Sequence, residues 1–81
     1  MGSEVTVYTR TTCAPCKALK MFLQHKGILY KEMNVDEHPE YEAEIQKLSG
    51  FMMVPTAIIR RGDEQSVISG YNPARLVSAL A

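Results

Sequence analysis

The sequence predicts an α/β fold in the order βαβαββα, in which a four-stranded mixed sheet is flanked by three helices. Strand-like and helix-like apolar patterns alternate over the first half of the chain, which predicts a parallel pair of strands. A short turn at Gly62-Asp63 joins two further strand-like segments, which predicts an antiparallel hairpin. The 81 residues suffice for one modest core, so we expect a single domain.

Periodicity and turn residues set the expected limits of each element. Alternating and β-branched side chains indicate strands, whereas apolar residues at three- and four-residue steps indicate helices. The predicted strands cover residues 4–8, 28–35, 54–61 and 64–70, and the predicted helices cover about residues 13–26, 39–48 and 72–80. Pro39 and Pro73 suit the first turns of helices, and Gly27 and Gly50 suit helix ends.

Two strands show which side chains should face the core. Val5 and Val7 alternate with other residues in the first strand, so both are expected on one buried face. In the second strand the apolar positions are mainly Leu29, Met33 and Val35, against the charged Lys31 and Glu32, so we expect the apolar side chains to point inward. The helices are expected to cover this sheet.

Composition and charge exclude several classes of partner. Nine Lys and Arg residues balance nine Asp and Glu residues, so the formal net charge of zero provides no field that would attract nucleic acid or an anionic membrane. The N-terminal residues show no signal-peptide pattern, and we expect a cytoplasmic protein that binds neither nucleic acid nor membrane. Residues 1–3 are expected to be a disordered N-terminus or a cloning remnant, and residues 4–81 the folded domain.

Both cysteines of the chain lie in one short motif, Cys13-Ala14-Pro15-Cys16. Residues three apart in the first turn of a helix have Cα atoms about 5 Å apart, within the range of about 4.4 to 6.8 Å that a disulfide accepts. Cys13 and Cys16 are therefore the candidate catalytic residues, because they can form and open a disulfide.

The two cysteines are expected to have different roles. Cys16 belongs to an apolar helical stripe and should be buried, whereas Cys13 at the turn should meet solvent and attack first. A helix N-terminus favours a thiolate by only about 0.3 to 1 kcal/mol, which is less than one pKa unit of about 1.36 kcal/mol. Arg10, Lys17 and a hydrogen bond from the Cys16 thiol are expected to supply the rest of the lowering of the Cys13 pKa.

Two other interpretations of the cysteine pair remain open. Both cysteines could be inert buried residues or a staple, although a disulfide across so small a loop restrains little chain entropy and is reduced in the cytosol. Cys-x-x-Cys is also half of a zinc site, which His25 and His38 could complete. These histidines are much farther apart in sequence than is typical of such sites, so no metal ligand is assigned.

Three stretches in the same order resemble the glutaredoxin branch of the thioredoxin superfamily over about residues 4–81. They are VTVYTRTTCAPC at the start, MVPT in the second half and SGYNPARL near the end. The resemblance implies the thioredoxin fold and a thiol-disulfide oxidoreductase activity. It implies no bound cofactor, only a redox-active disulfide between Cys13 and Cys16.

The resemblance also implies which residues meet the substrate. Pro55 is expected to form a cis peptide bond beside the cysteines, and Val54 to pair its backbone with an extended segment of the substrate. Arg10 is expected to meet a substrate carboxylate, and Tyr71 to lie on the contact surface. Cis bonds are essentially a proline property, which agrees with this role, and a trans proline that merely starts the strand is the alternative.

Within the family, the late segment resembles NrdH-redoxins. SGYNP at 69–73 fits their Ser-Gly-aromatic-x-Pro pattern, although Ile68 stands where they often have Trp and Ala14-Pro15 differ from their usual pair. The acidic residues with which glutathione-using glutaredoxins hold the glutathione amino group are absent. This resemblance implies a protein that takes electrons from thioredoxin reductase and passes them to a protein disulfide such as that of ribonucleotide reductase. We expect a monomer, because the redox site must reach large partners.

Two other functions fit the same motifs. A glutathione-dependent dithiol glutaredoxin would use the same cysteines but take its electrons from glutathione. A non-enzymatic module would use them to bind zinc or an iron-sulfur cluster, and stoichiometric metal without reductase turnover would identify it.

Overall fold

The computed structural model describes residues 4–80, over which strands and helices follow one another in the predicted order. The strands are β1 (Glu4–Thr9), β2 (Lys31–Asn34), β3 (Thr56–Arg61) and β4 (Glu64–Ser69), and the helices are α1 (Ala14–His25), α2 (Tyr41–Ser49) and α3 (Pro73–Leu80). Across this range, every helix is too short or too polar to span a lipid bilayer. The expectation for residues 1–3 lies outside the described residues.

β1 and β3 are the inner strands of the sheet, whose order is β2-β1-β3-β4. β1 runs parallel to β2 with Thr9 opposite Asn34, and antiparallel to β3 with Tyr8 opposite Thr56. β4 is antiparallel to β3 and places Ser69 opposite Thr56. The predicted parallel pair and hairpin are confirmed. One end of the sheet therefore gathers the loop after β1, the segment before β3 and the segment after β4.

Two hydrophobic clusters cover the two faces of the sheet. The first lies under α1 and α3, and its buried members are Val5, Val7, Leu19, Leu23, Ala57, Ile59, Ile68 and Leu76. The second lies under α2, and its buried members are Tyr8, Val35, Ile45 and Ile58, with Met33 packed against them. The inward positions predicted for Val5, Val7, Met33 and Val35 are confirmed.

The start of the second strand differs from the prediction. β2 begins at Lys31 because the Ile28 N–H bonds to the Leu23 carbonyl oxygen at 2.9 Å and prolongs the turn that ends α1. Ile28 and Tyr30 pack against the core, and Leu29 between them is 91% exposed. The expectation that Leu29 points inward is wrong, because Leu29 precedes β2 and belongs to neither hydrophobic cluster. Ile28 and Tyr30 pack on the face under α1 and α3, whereas Met33 and Val35 pack on the opposite face under α2, so the alternation along this segment is regular.

The second helix also begins later than predicted. Pro39 lies before α2 in a turn closed by the Glu42 N–H, which bonds to the Pro39 carbonyl oxygen at 3.1 Å. The helix itself starts at Tyr41. It ends as predicted at Gly50, whose φ of 89° suits glycine and whose N–H bonds to the Gln46 carbonyl oxygen at 2.8 Å.

A side-chain hydrogen bond joins α2 to the sheet. The Tyr8 hydroxyl donates to Oε1 of Glu44 at 2.9 Å, and the Tyr8 ring packs edge-on against Tyr41. Burial of the phenol, followed by the hydrogen bond and the charge of Glu44, raises the pKa of Tyr8 from 10.0 to about 12. The neutral phenol is therefore the form that the fold favours.

Truncation of a buried leucine should cost far more stability than truncation of an exposed one. Leu19 is fully buried, so Leu19→Ala is expected to lower the free energy of unfolding by about 2 to 5 kcal/mol. Leu29→Ala is the control and should change that free energy by less than about 0.5 kcal/mol. Urea unfolding followed by circular dichroism measures both, and equal losses would show that the position of Leu29 is misassigned.

The Tyr8 hydroxyl should make the folded state sensitive to alkaline pH. Because folding raises the pKa of Tyr8 from 10.0 to about 12, its stabilising contribution is fully present below about pH 10 and is lost as the pH rises through about 12. Tyr8→Phe is therefore expected to flatten the dependence of the unfolding free energy on pH over this window. Denaturant unfolding at several pH values tests this, and parallel curves for the two proteins would contradict it.

Candidate active site

The cysteine pair lies where the loop after β1 enters α1. Cys13 caps the N-terminus of the helix with an extended backbone (φ −157°), and Cys16 lies in its first turn. The two form a disulfide with Cα atoms 5.2 Å apart, so the structure represents the oxidised protein. Cys16 is buried, with 1% of its surface exposed, whereas Cys13 is half-buried. Cys13 is thus the more accessible residue of the two.

Backbone groups of the first helical turn contact Cys13. The Cys16 N–H donates to Cys13 Sγ at 3.2 Å, and the Lys17 N–H donates to the Cys13 carbonyl oxygen at 3.2 Å. In this oxidised form the donor to the sulfur is the backbone N–H of Cys16, and a hydrogen bond from the Cys16 thiol of the reduced form stays a prediction. An N–H donor and a helix N-terminus both favour negative charge on this sulfur.

The segment before β3 contains the expected cis proline. The Val54–Pro55 peptide bond is cis, and Pro55 is buried. The fully buried Thr56 hydroxyl donates to the Met53 carbonyl oxygen at 2.7 Å and holds this turn closed. Val54 lies outside the strands, and no other backbone group in residues 4–80 bonds to its N–H or C=O. These two groups are able to pair with an added extended chain.

The segment after β4 is joined to the same proline. The Gly70 N–H donates to the Pro55 carbonyl oxygen at 2.7 Å, and Gly70 has a φ of 78°, which L-residues rarely adopt. Tyr71 follows directly and packs edge-on against Phe22 of α1, with ring centroids 6.3 Å apart. The segments around Cys13, Pro55 and Tyr71 therefore meet at one end of the sheet.

Exposed apolar side chains lie in these same segments. Phe51 and Met53, in the loop that leads to Pro55, are 48% and 41% exposed, and Tyr71 is 39% exposed. Large apolar side chains grouped in this way are typical of a surface that contacts another protein.

Arg10 lies in the loop between β1 and Cys13 and is paired within the chain. Its terminal nitrogens bond to Asp36 at 2.9 Å and to Glu42 at 3.1 Å. The Thr11 N–H also donates to Asp36 at 2.8 Å, and this donor, together with Arg10, lowers the pKa of Asp36. The two roles expected of Arg10, contact with the substrate and lowering of the Cys13 pKa, stay predictions. The positive charge of Arg10 is already paired with two carboxylates of this chain.

Lys17 and the two histidines occupy the surface. Lys17 is exposed in the first turn of α1, and no carboxylate in residues 4–80 pairs with its ammonium. His38 packs on Tyr41 and lies 3.4 Å from Glu40, whereas His25 is the last residue of α1. In the described part of the chain, His, Cys, Asp and Glu residues form no group of three that could hold a metal ion.

The sequence alone does not single out Asp36, Glu42 or Thr56. The carboxylates bond to Arg10 from 26 and 32 residues away, which no local pattern reveals. The sequence does contain a signal for the pairing of Arg10 with Asp36. Parallel strands bring their carboxyl ends side by side, and Arg10 follows β1 whereas Asp36 follows β2. Thr56 gives no such signal, since a threonine at the start of a strand is ordinary.

The chain matches the glutaredoxin family model over residues 5–63. It is 35% identical to the glutaredoxin-like protein NrdH of Lactococcus lactis subsp. cremoris strain MG1363 over 72 residues, which cover 89% of this chain and 93% of the relative. This level of identity over nearly all of both chains indicates a shared family as well as a shared fold.

Comparison with solved structures supports the same family and fold. The glutaredoxin-like NrdH-redoxin of Escherichia coli superimposes with a TM-score of 0.70 at 32% identity, covering 93% of this chain and 92% of that one. The glutaredoxin of Methanosarcina mazei Go1 superimposes with a TM-score of 0.81 at 28% identity, covering 96% of this chain and 78% of that one. The chain therefore belongs to the glutaredoxin family of thiol-disulfide oxidoreductases, has the thioredoxin-like fold, and is similar within the family to the NrdH-redoxins.

Proposed function

We propose that this chain is a dithiol reductase of protein disulfides that acts as an NrdH-type redoxin. The observation that supports it most directly is the Cys13–Cys16 pair at the N-terminus of α1, in which one cysteine is half-buried and the other is buried. A pair that differs in access in this way can attack an external disulfide with one sulfur and resolve the product with the other.

Cys13 is the proposed nucleophile and Cys16 the proposed resolving residue. The Cys13 thiolate attacks one sulfur of the substrate disulfide, a new disulfide bond forms, and the other substrate sulfur leaves as a thiolate and takes up a proton. Cys16 then loses its proton and attacks the Cys13 sulfur, which closes the Cys13–Cys16 disulfide and releases the first substrate sulfur. Two electrons have passed to the substrate, and a reductant must return them.

Groups near the first turn of α1 favour the attacking thiolate. The Cys16 N–H lies 3.2 Å from Cys13 Sγ, and the helix N-terminus adds a partial positive charge. The exposed Lys17 ammonium is the proposed tuning cation, because it lies one turn into the same helix. Arg10 is the second proposed tuning cation, and its effect is reduced by the carboxylates that pair with it.

The substrate is proposed to bind as an extended segment beside Pro55. The N–H and C=O of Val54 would pair with its backbone, and the Tyr71 ring would contact its side chains. Arg10 would meet a carboxylate of a protein substrate at the edge of this surface through the N–H groups that Asp36 and Glu42 leave free. Recognition that relies on backbone pairing accepts many sequences, as a reductase of several protein disulfides requires.

The proposed reductant is thioredoxin reductase, and the proposed acceptor is a disulfide-bearing protein such as ribonucleotide reductase. Support comes from the similarity to NrdH proteins and from SGYNP in place of an acidic clamp for glutathione. The Escherichia coli NrdH-redoxin has a thioredoxin-like activity profile. A reductase of this kind works as a monomer in the reducing cytoplasm and needs no bound cofactor besides its own cysteines.

Serine substitutions should separate the two cysteine roles. Cys13→Ser is expected to abolish disulfide reduction, because no nucleophile remains at the accessible position. Cys16→Ser should still attack and accumulate a mixed disulfide between Cys13 and the substrate. Mass spectrometry of the products and an insulin-reduction assay measure both results, and full activity in Cys13→Ser would overturn the mechanism.

The reductant can be identified by supplying the oxidised protein with two recycling systems in parallel. NADPH with thioredoxin reductase is expected to give efficient turnover, and NADPH with glutathione and glutathione reductase is expected to give little. The two rates are compared at equal protein concentration, with a protein disulfide as the final acceptor. Turnover with glutathione alone would instead identify a glutathione-dependent glutaredoxin.

A further inference from the structure

We propose that Asp36 and Glu42 are specificity-determining residues that disfavour small anionic thiols at Cys13 by occupying Arg10 and leaving a net negative charge beside the site. The inference deepens the proposed reductase function, on which it rests. It names a class of reactant that the site discriminates against, namely low-mass thiols that carry net negative charge.

Carboxylates of this chain accept hydrogen bonds from both terminal nitrogens of Arg10, which uses two of the five N–H donors of the guanidinium. One terminal nitrogen bonds to Asp36 Oδ1 at 2.9 Å, and the other bonds to Glu42 Oε2 at 3.1 Å. Asp36 is held in turn by the Thr11 N–H at 2.8 Å, and its own N–H bonds to Asn34 Oδ1 at 2.8 Å. The Asp36 carboxylate is therefore held by a backbone N–H of the loop after β1, and the Asp36 backbone is held by the Asn34 side chain.

The charge of this cluster is negative. One guanidinium and two carboxylates leave one net negative charge, where Arg10 alone would present one positive charge. An approaching anion therefore meets repulsion at a place where the sequence suggested attraction. Glutathione carries two carboxylates and one ammonium near neutral pH, so it is an anion of this class.

The cluster of Arg10, Asp36 and Glu42 is close enough to Cys13 to interact electrostatically with a charged reactant there. Asp36 Oδ2 lies 2.8 Å from the Thr11 nitrogen, and the Cα atoms of Thr11 and Cys13 are at most about 7 Å apart, so this carboxylate lies within about 11 Å of the Cys13 Cα. The Debye length in physiological salt is about 8 Å, so screening over this distance is incomplete. A protein partner is less affected, because its apolar contacts and backbone pairing dominate its binding.

The reaction that reports on this effect is opening of the oxidised pair by a thiol. A thiolate attacks Cys13 Sγ, a mixed disulfide forms, and the Cys13–Cys16 bond breaks to leave Cys16 as a thiolate that takes up a proton. Glutathione and 2-mercaptoethanol carry out the same step, but only glutathione carries net charge besides its thiol. The ratio of their rates therefore isolates the electrostatic contribution.

The test compares this ratio in the wild type and in the double variant Asp36→Asn/Glu42→Gln. We expect the glutathione to 2-mercaptoethanol rate ratio to rise by roughly three- to tenfold at low salt, and the rise to shrink as salt increases. Adding Arg10→Gln to the double variant should cancel much of the gain. Rapid-mixing kinetics with acid quench and mass spectrometry give the rates.

The matched control is Glu37→Gln/Glu40→Gln, which removes two charges from the same segment without touching a partner of Arg10. An unchanged ratio in Asp36→Asn/Glu42→Gln, or an equal rise in the control, would overturn the inference. Urea unfolding confirms that each variant is folded before its rates are compared. Failure of the proposed function is a different result, because it would appear as absent turnover with thioredoxin reductase in the wild type.

Discussion

The antiparallel pairing of β1 with β3 is the constraint on which the rest of the site depends. It sets Tyr8 opposite Thr56, so the carboxyl end of one strand lies beside the amino end of the other. Cys13 follows the first of these ends and Pro55 precedes the second, although they are far apart in sequence. Apolar clusters cover both faces of these two strands, so the junction is held by the core, and the reactive loop begins on a rigid support.

Most of the fold could be predicted because its signals are local. Element order follows from periodicity, and the cysteine pair and the cis proline belong to short motifs whose residues are neighbours in sequence. The exposure of Leu29 could not be predicted, since it depends on β2 beginning only at Lys31, after the turn in which the Ile28 N–H bonds to Leu23. The parallel pairing of β1 and β2 indicates that Arg10 and Asp36 lie near each other, but the two hydrogen bonds across 26 and 32 residues depend on the register of these strands and on the position of α2.

The electrostatics of the site have a fixed part and an adjustable part. The Cys16 N–H at the Cys13 sulfur and the helix N-terminus belong to the backbone, so neighbouring side chains can change without removing them. The charges of Arg10, Asp36 and Glu42 are partly exposed and are individually weak and screened by salt. The chemistry of the nucleophile is therefore set by the fold, whereas discrimination among reactants is left to surface side chains.

Gly70 has a consequence for how this surface can vary over evolution. A Cβ built at this position would meet only the Met53 sulfur, at 3.8 Å, so the left-handed φ and not lack of space excludes L-side chains. Any L-residue at position 70 would have to adopt this left-handed backbone to keep the hydrogen bond to Pro55, whereas Tyr71 beside it is exposed and packs through its ring against Phe22. Substitution is therefore limited by backbone conformation at position 70 and by side-chain packing at position 71.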